Sequence, residues 1–154
     1  MTPVIPTELT IGQEAPLFTL KSQDDRNYSL SDYKGKWVVL YFYPKDDTPG
    51  CTKEACSFRD NFSKFQKLGI QVFGVSVDDV QSHGEFVKKF NLPFPLLADT
   101  EKKVSTLYGA LSNTKYSDRF TFLIKPDQTI GTIFKKVNVA AHADEVLEAI
   151  EKNQ

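Results

Sequence analysis

The chain has 154 residues, 40% of them hydrophobic and 25% charged, with a formal net charge of −1. That length fits one domain with a sizeable core, and the near-neutral charge supplies no basic field for nucleic acid or an anionic membrane. No run approaches the ~20 apolar residues of a transmembrane helix, and residues 1–6 lack both regions of a secretory signal.

Two cysteines in such a chain make no disulfide framework; they direct attention to redox, metal or catalytic use. The expected residence is the cytoplasm, and a trimmed organellar protein would present the same sequence.

Residues 1–16 contain prolines and little pattern, and read as an extended lead-in. Phe18–Leu20 is a short strand, Gln23–Asn27 a polar turn, and Ser29–Tyr33 a brief helical turn stopped by Gly35. Trp37–Tyr43 is β-branched, aromatic and almost continuously apolar, the pattern of a strand covered on both faces.

From Cys51 to Leu68 the period becomes helical, with Cys51, Ala55, Phe58, Phe62 and Phe65 on one stripe. Gln71–Val77 is the next strand, and Gln81–Phe90 the next helix, with Phe86, Val87 and Phe90 inward. A proline-bounded connection, Leu92–Ala98, leads into a short strand. Glu101–Tyr108 predicts a third helix with Val104, Leu107 and Tyr108 on its apolar side, and Asn113–Asp118 a polar loop. Phe120–Ile124 and Ile130–Phe134 flank a turn and read as an antiparallel hairpin. Ala143–Lys152 closes the chain as an amphipathic helix with Val146, Leu147 and Ile150 inward. Strands alternating with helices and ending in a hairpin imply one α/β domain over residues 1–154, a mixed sheet flanked by helices with an N-terminal extension.

Both cysteines lie where the most apolar strand hands over to a helix. Thr48 fits the N-cap, Pro49 the first helical position and Cys51 the third. Backbone amides and the positive end of the helix dipole there favour thiolate. The apolar stripe directs Cys51 inward, and desolvation alone opposes ionisation, so a reactive Cys51 needs a positive partner from elsewhere in the chain.

Cys56 lies five positions further. At ~100° per residue the two side chains diverge by roughly 140°, with Cα atoms on the order of 8–9 Å apart. A disulfide needs ~4.4–6.8 Å. Either the thiols never pair, or pairing unwinds the first turns of the helix and makes the segment a redox switch. The plainer readings are a small core residue for Cys51 and a surface thiol for Cys56. Two cysteines at non-metal spacing with only His83 and His142 do not make a structural zinc site, and no Cys-x-x-Cys motif is present. His83 falls on a polar helix start and His142 in a cap region.

The segment from Pro44 to Cys56, with Gly12-x-x-Ala15-Pro16-x-Phe18, Leu97-Ala98-Asp99, Tyr108-Gly109, Arg119-x-Thr121-Phe122-Leu123-Ile124 and the stretch from His142 to Leu147, closely resembles the peroxiredoxins. The four-residue gap between the cysteines is similar to the bacterioferritin-comigratory-protein, or peroxiredoxin Q, subfamily. The resemblance covers nearly the whole chain. It departs at Lys125–Gln128, where relatives carry Asp and a Gly-containing turn, and in a short stretch between Gly109 and Arg119.

What the resemblance implies is a thioredoxin-like fold and a thiol peroxidase without metal or organic cofactor, acting on hydrogen peroxide and organic hydroperoxides. Cys51 would be the peroxidatic cysteine and Cys56 the resolving one, closing a Cys51–Cys56 disulfide. Thr48 would bond the sulfur and the incoming oxygen, Pro44 would shield the pocket, and Arg119 would be the positive partner. Thioredoxin or a similar dithiol would recycle the enzyme. With both cysteines in one helix, a monomer is expected. The alternatives on the same fold are a general thiol–disulfide oxidoreductase and a redox sensor or holdase.

Overall fold

The computed structural model describes residues 9–152, so the first eight residues of the extended lead-in lie outside the described residues. Its strands are β1 (Thr19–Ser22), β2 (Asn27–Ser29), β3 (Val38–Phe42), β4 (Gln71–Ser76), β5 (Leu96–Ala98), β6 (Thr121–Ile124) and β7 (Ile130–Phe134). The helices are α1 (Pro49–Asp60), α2 (Phe62–Lys67), α3 (Val80–Phe90), α4 (Lys103–Leu107) and α5 (His142–Lys152), with a 3-10 turn at Leu30–Tyr33. One mixed sheet takes the order β2-β1-β5-β4-β3-β6-β7.

The sheet is built outward from β3, all five residues of which are buried. It pairs in parallel with β4 and antiparallel with β6. The parallel run β3-β4-β5 needs long crossovers, which α1–α2 and α3 supply. β6 and β7 form the expected antiparallel hairpin.

Alternation along β3 divides the core. Val39, Tyr41 and Tyr43 face a layer containing Cys51, Ala55, Phe58, Phe65, Val146 and Ile150. Val38, Leu40 and Phe42 face Leu30, Val104, Tyr108 and Phe122 on the other side. Trp37–Tyr43 therefore reads correctly as a strand covered on both faces.

Four local expectations change. The single helix expected from Cys51 to Leu68 breaks at Asn61, which has φ −110° and ψ 10°. Its side-chain Nδ2 donates to Ser57 O at 2.8 Å, taking the carbonyl that its own backbone N–H would use in a continuous helix. Residues 27–29, expected as the end of a polar turn and the start of a helical one, form β2 against β1. Leu107 is 45% exposed: α4 is a single short turn, and Val104 and Tyr108 fill the core beneath it. His83 is fully buried, whereas a polar helix start suggested exposure.

Candidate active site

Cys51 occupies the third position of α1 and is 1% exposed. Pro49 opens the helix with its preset φ and no N–H to satisfy, and Thr52 N donates to Thr48 O at 2.8 Å. Thr48 has N-cap backbone geometry (φ −95°, ψ 155°), yet its side chain does not cap the helix. Its Oγ1 donates to Lys45 O at 2.9 Å and closes the preceding loop. That corrects the capping role expected of Thr48, and no side chain caps the first turn around the sulfur.

The positive partner is Arg119, in the bend just before β6. Its Nη2 donates to Cys51 Sγ at 3.2 Å and its Nη1 to Glu54 Oε1 at 2.8 Å. The segment that presents it is tied down at several points. Phe42 N donates to Phe120 O at 2.7 Å and Asp118 N to Ala110 O at 2.7 Å. The Asp118 carboxylate accepts from Ser112 N at 2.9 Å and Ser112 Oγ at 2.6 Å. Gly50 makes room for the guanidinium: a Cβ there would stand 3.1 Å from Arg119 Nη2. Burial works against the charge on Arg119, but Cys51 and Glu54 outweigh it and hold its pKa above the ordinary value.

Glu54 shares α1 with Cys51, one turn further on, and is fully buried. Burial pushes its carboxyl up to about 7, with Arg119 acting in the opposite direction. Oε1 is bound to Arg119, while Oε2 has no hydrogen-bond partner among the described residues. That oxygen lies 3.9 Å from Nε2 of His142, also fully buried, at the start of α5. Burial lowers the pKa of His142, against the opposing pull of Glu145, which meets Nδ1 at 3.1 Å. Tyr41, on β3, has its pKa raised well above the ordinary value by burial first, then by Glu54 and Cys51.

A second network holds the loop from Pro44 to Thr48. Asp46 Oδ1 accepts from Tyr43 OH at 2.5 Å, and Oδ2 accepts from Ser82 Oγ at 2.8 Å and meets His83 Nδ1 at 2.7 Å. His83 Nε2 donates to Leu97 O at 2.9 Å, and Asp46 N donates to Asp78 Oδ2 at 2.8 Å. Asp46, Asp78 and His83 bring potential ligand atoms within 4.8 Å of one another. Hydrogen bonds already engage those atoms, so the group acts as a clamp between the loop and α3. Pro44, half-buried, is held at the start of this clamped loop.

Cys56 is partly exposed, both cysteines are free, and α1 runs unbroken through the pair. Of the expected site residues, folding brings Cys51 and Arg119 into contact and leaves Cys56 on the same helix; Pro44 and Thr48 belong to the clamped loop. Sequence reasoning missed Glu54, His142, Asp46 and His83. Glu54 left a signal: at three positions from Cys51 it falls on the buried side of the helix.

Comparison with known proteins gives a consistent picture. Residues 11–133 match the AhpC/TSA family. The chain is 47% identical over 146 residues to a putative peroxiredoxin bcp of Coxiella burnetii, covering 90% of this chain and 97% of that one. It is 43% identical over 143 residues to the chloroplastic peroxiredoxin Q of Gentiana triflora, covering 91% of this chain and 66% of the relative. The solved bacterioferritin comigratory protein of Xanthomonas campestris superposes with a TM-score of 0.86 at 33% identity, covering 94% of this chain and 99% of that one.

Proposed function

The chain belongs to the AhpC/TSA family as a thiol peroxidase of the peroxiredoxin Q type, and from that premise we propose that Cys51 attacks the peroxide and Cys56 resolves the product. The observation that supports this most is the 3.2 Å contact between Arg119 Nη2 and a buried Cys51 Sγ at a helix N-terminus. The seven-strand sheet flanked by helices agrees with the thioredoxin-like peroxiredoxin structures.

In this reading the Cys51 thiolate attacks one peroxide oxygen, the S–O bond forms as O–O breaks, and negative charge moves onto the departing oxygen. Arg119 and the amides of the first turn of α1 stabilise that charge where it develops. The departing oxygen takes a proton and leaves as water or an alcohol. The sulfenic acid on Cys51 then condenses with the Cys56 thiol, releasing water and forming the disulfide. Thr48 and Pro44 shape and shield the approach to the sulfur. The relative from Xanthomonas campestris is described by its alkyl peroxide reduction activity, so organic hydroperoxides and hydrogen peroxide are the proposed substrates. A dithiol donor such as thioredoxin completes the cycle by exchange at the disulfide.

No helix among the described residues is long and apolar enough to cross a membrane. We propose a monomer working in the cytoplasm, since one helix carries both thiols of the cycle.

Peroxide consumption by two variants tests the assignment. Cys51→Ser should abolish it. Cys56→Ser should still consume about one equivalent of peroxide per chain but lose turnover with thioredoxin. Sustained turnover by Cys51→Ser would overturn the reading.

A further inference from the structure

Arg119 stands between two groups that can each be negative, Cys51 Sγ at 3.2 Å and Glu54 Oε1 at 2.8 Å. Both are buried. One guanidinium balances one anion there, and a second anion away from water is costly. The remaining oxygen of Glu54 has no hydrogen-bond partner among the described residues, yet it is not against bare hydrocarbon: His142 Nε2 faces it at 3.9 Å.

The groups around Glu54 leave the charge balance to a proton. Cys51 lies on its own helix, Arg119 comes from the segment before β6, Tyr41 from β3 and His142 from α5, with Glu145 behind His142. Arg119 is the fixed cation among them. The Glu145 carboxylate accepts from His142 Nδ1 at 3.1 Å, which leaves the Nε2 lone pair to accept from Thr121 Oγ1 at 2.7 Å, so His142 stands beside Glu54 as a neutral ring. Glu145, behind that ring, is partly exposed.

We propose that Cys51 and Glu54 share one negative charge across Arg119: Glu54 holds a proton on Oε2 while Cys51 is a thiolate, and releases it when Cys51 is oxidised. This rests on the peroxidatic assignment of Cys51. The step balances as thiolate, hydroperoxide and Glu54 carboxylic acid giving sulfenic acid, alcohol or water and Glu54 carboxylate. The sulfur loses two electrons to the breaking O–O bond, the departing oxygen gains one proton, and Glu54 gives up one. A single negative charge is present before and after. The proton that Glu54 gives up offsets the one that the departing oxygen takes. Glu54 is thus a positioning residue that acts through Arg119, and it spares the site a change of net charge as the sulfur is oxidised.

The test counts protons. In a Cys56→Ser background the reaction stops at the sulfenic acid, and an indicator dye in weak buffer near pH 7 reports proton uptake after one equivalent of hydrogen peroxide. With Glu54 present, uptake should be about half a proton or less per cysteine oxidised; Glu54→Gln, which keeps an acceptor for Arg119, should take up about one. Equal uptake by the two proteins overturns the proposal while leaving the peroxidatic assignment intact. Failure of Cys51 to oxidise at all would overturn that assignment and the proposal with it. An infrared difference spectrum of the Cys56→Ser protein provides a readout independent of the Gln variant. Peroxide should remove a protonated-carboxyl band and add a carboxylate band, and no such change would overturn the proposal.

Discussion

Arg119 reaches Cys51 from 68 positions along the chain, and in the proposed mechanism the sulfur's reactivity depends on that contact. Replacing it with Met keeps much of the stem and removes the cation. The rate of peroxide attack should then fall by about 10²–10³-fold, the range found when one transition-state donor is lost; stopped-flow oxidation measures it, and an unchanged rate would remove Arg119 from the mechanism. Glu54 makes a different prediction, on stability. Its carboxyl titrates near 4.5 in the unfolded chain and at about 7 in the folded one. Between those values the native state binds more protons, so stability falls as pH rises from about 4.5 to 7 and the loss is complete above the folded value. Relative to Glu54→Gln, the reduced parent should lose up to about 3 kcal/mol across that window. Urea denaturation of both proteins over the pH range tests this, and a flat difference would contradict it. At this scale Cys51 and Arg119 were legible from the motifs that carry them, whereas Glu54 left only its place on the buried side of the helix. A charged residue reads as solvated, and its pairing emerges only when Arg119 arrives from a distant segment.

Among the elements, α1 divides into two parts of different strength. Its N-terminal half offers only small apolar groups to the core, Cys51 and Ala55, beside the buried Glu54 that Arg119 holds. Its C-terminal half is pinned by Phe58, stacked on Tyr41 at 4.7 Å and in ring contact with Phe65, Phe94 and His142. Ser57 Oγ also accepts from Ala143 N at 3.1 Å, joining α1 to α5. Withdrawing Cys51 and Ala55 costs on the order of 1–2 kcal/mol, and Glu54 exchanges its bond to Arg119 for water, against about 3–5 kcal/mol for losing a buried phenylalanine. The unwinding that disulfide formation requires should therefore run from Gly50 to about Cys56 and stop at Phe58. The loop before α1 is fixed in turn by Asp46 against α3. Asp46→Asn weakens a buried pair with His83 and should cost roughly 3 kcal/mol, together with a slower peroxide reaction. Equilibrium denaturation and stopped-flow oxidation check both, and an unaltered variant would show that the clamp does not hold the loop. The helical stripe through Phe58, Phe62 and Phe65 was legible, but the break at Asn61 was hidden because the apolar period continues across it. β2 was hidden for the opposite reason: three partly exposed edge residues carry too little pattern to separate a strand from a turn.

Across the whole molecule, the sheet converts distance in sequence into contact. β3 delivers the loop and Cys51, and its antiparallel neighbour β6 delivers Arg119 beside them. This architecture was readable because β3 is continuously apolar, β4 is apolar between Gln71 and Ser76, and the later elements alternate clearly. The two histidines were not readable as buried groups. Each lies in the first turn of a helix in a polar context, and its partners, Asp46 and Leu97 for His83 and Thr121 and Glu145 for His142, meet it only in the folded chain. The same assembly predicts that the proposed switch is local. The strands, α3 and the C-terminal part of α1 should stay packed while the first turns of α1 carry Cys51 away from Arg119 towards Cys56. Amide hydrogen exchange over residues 50–58, compared between the dithiol protein and the Cys51–Cys56 disulfide, tests that most directly. Exchange should accelerate by orders of magnitude from Gly50 to Cys56 in the oxidised protein and stay unchanged in β3 and β4. Equal protection of the segment in both redox states would contradict the account.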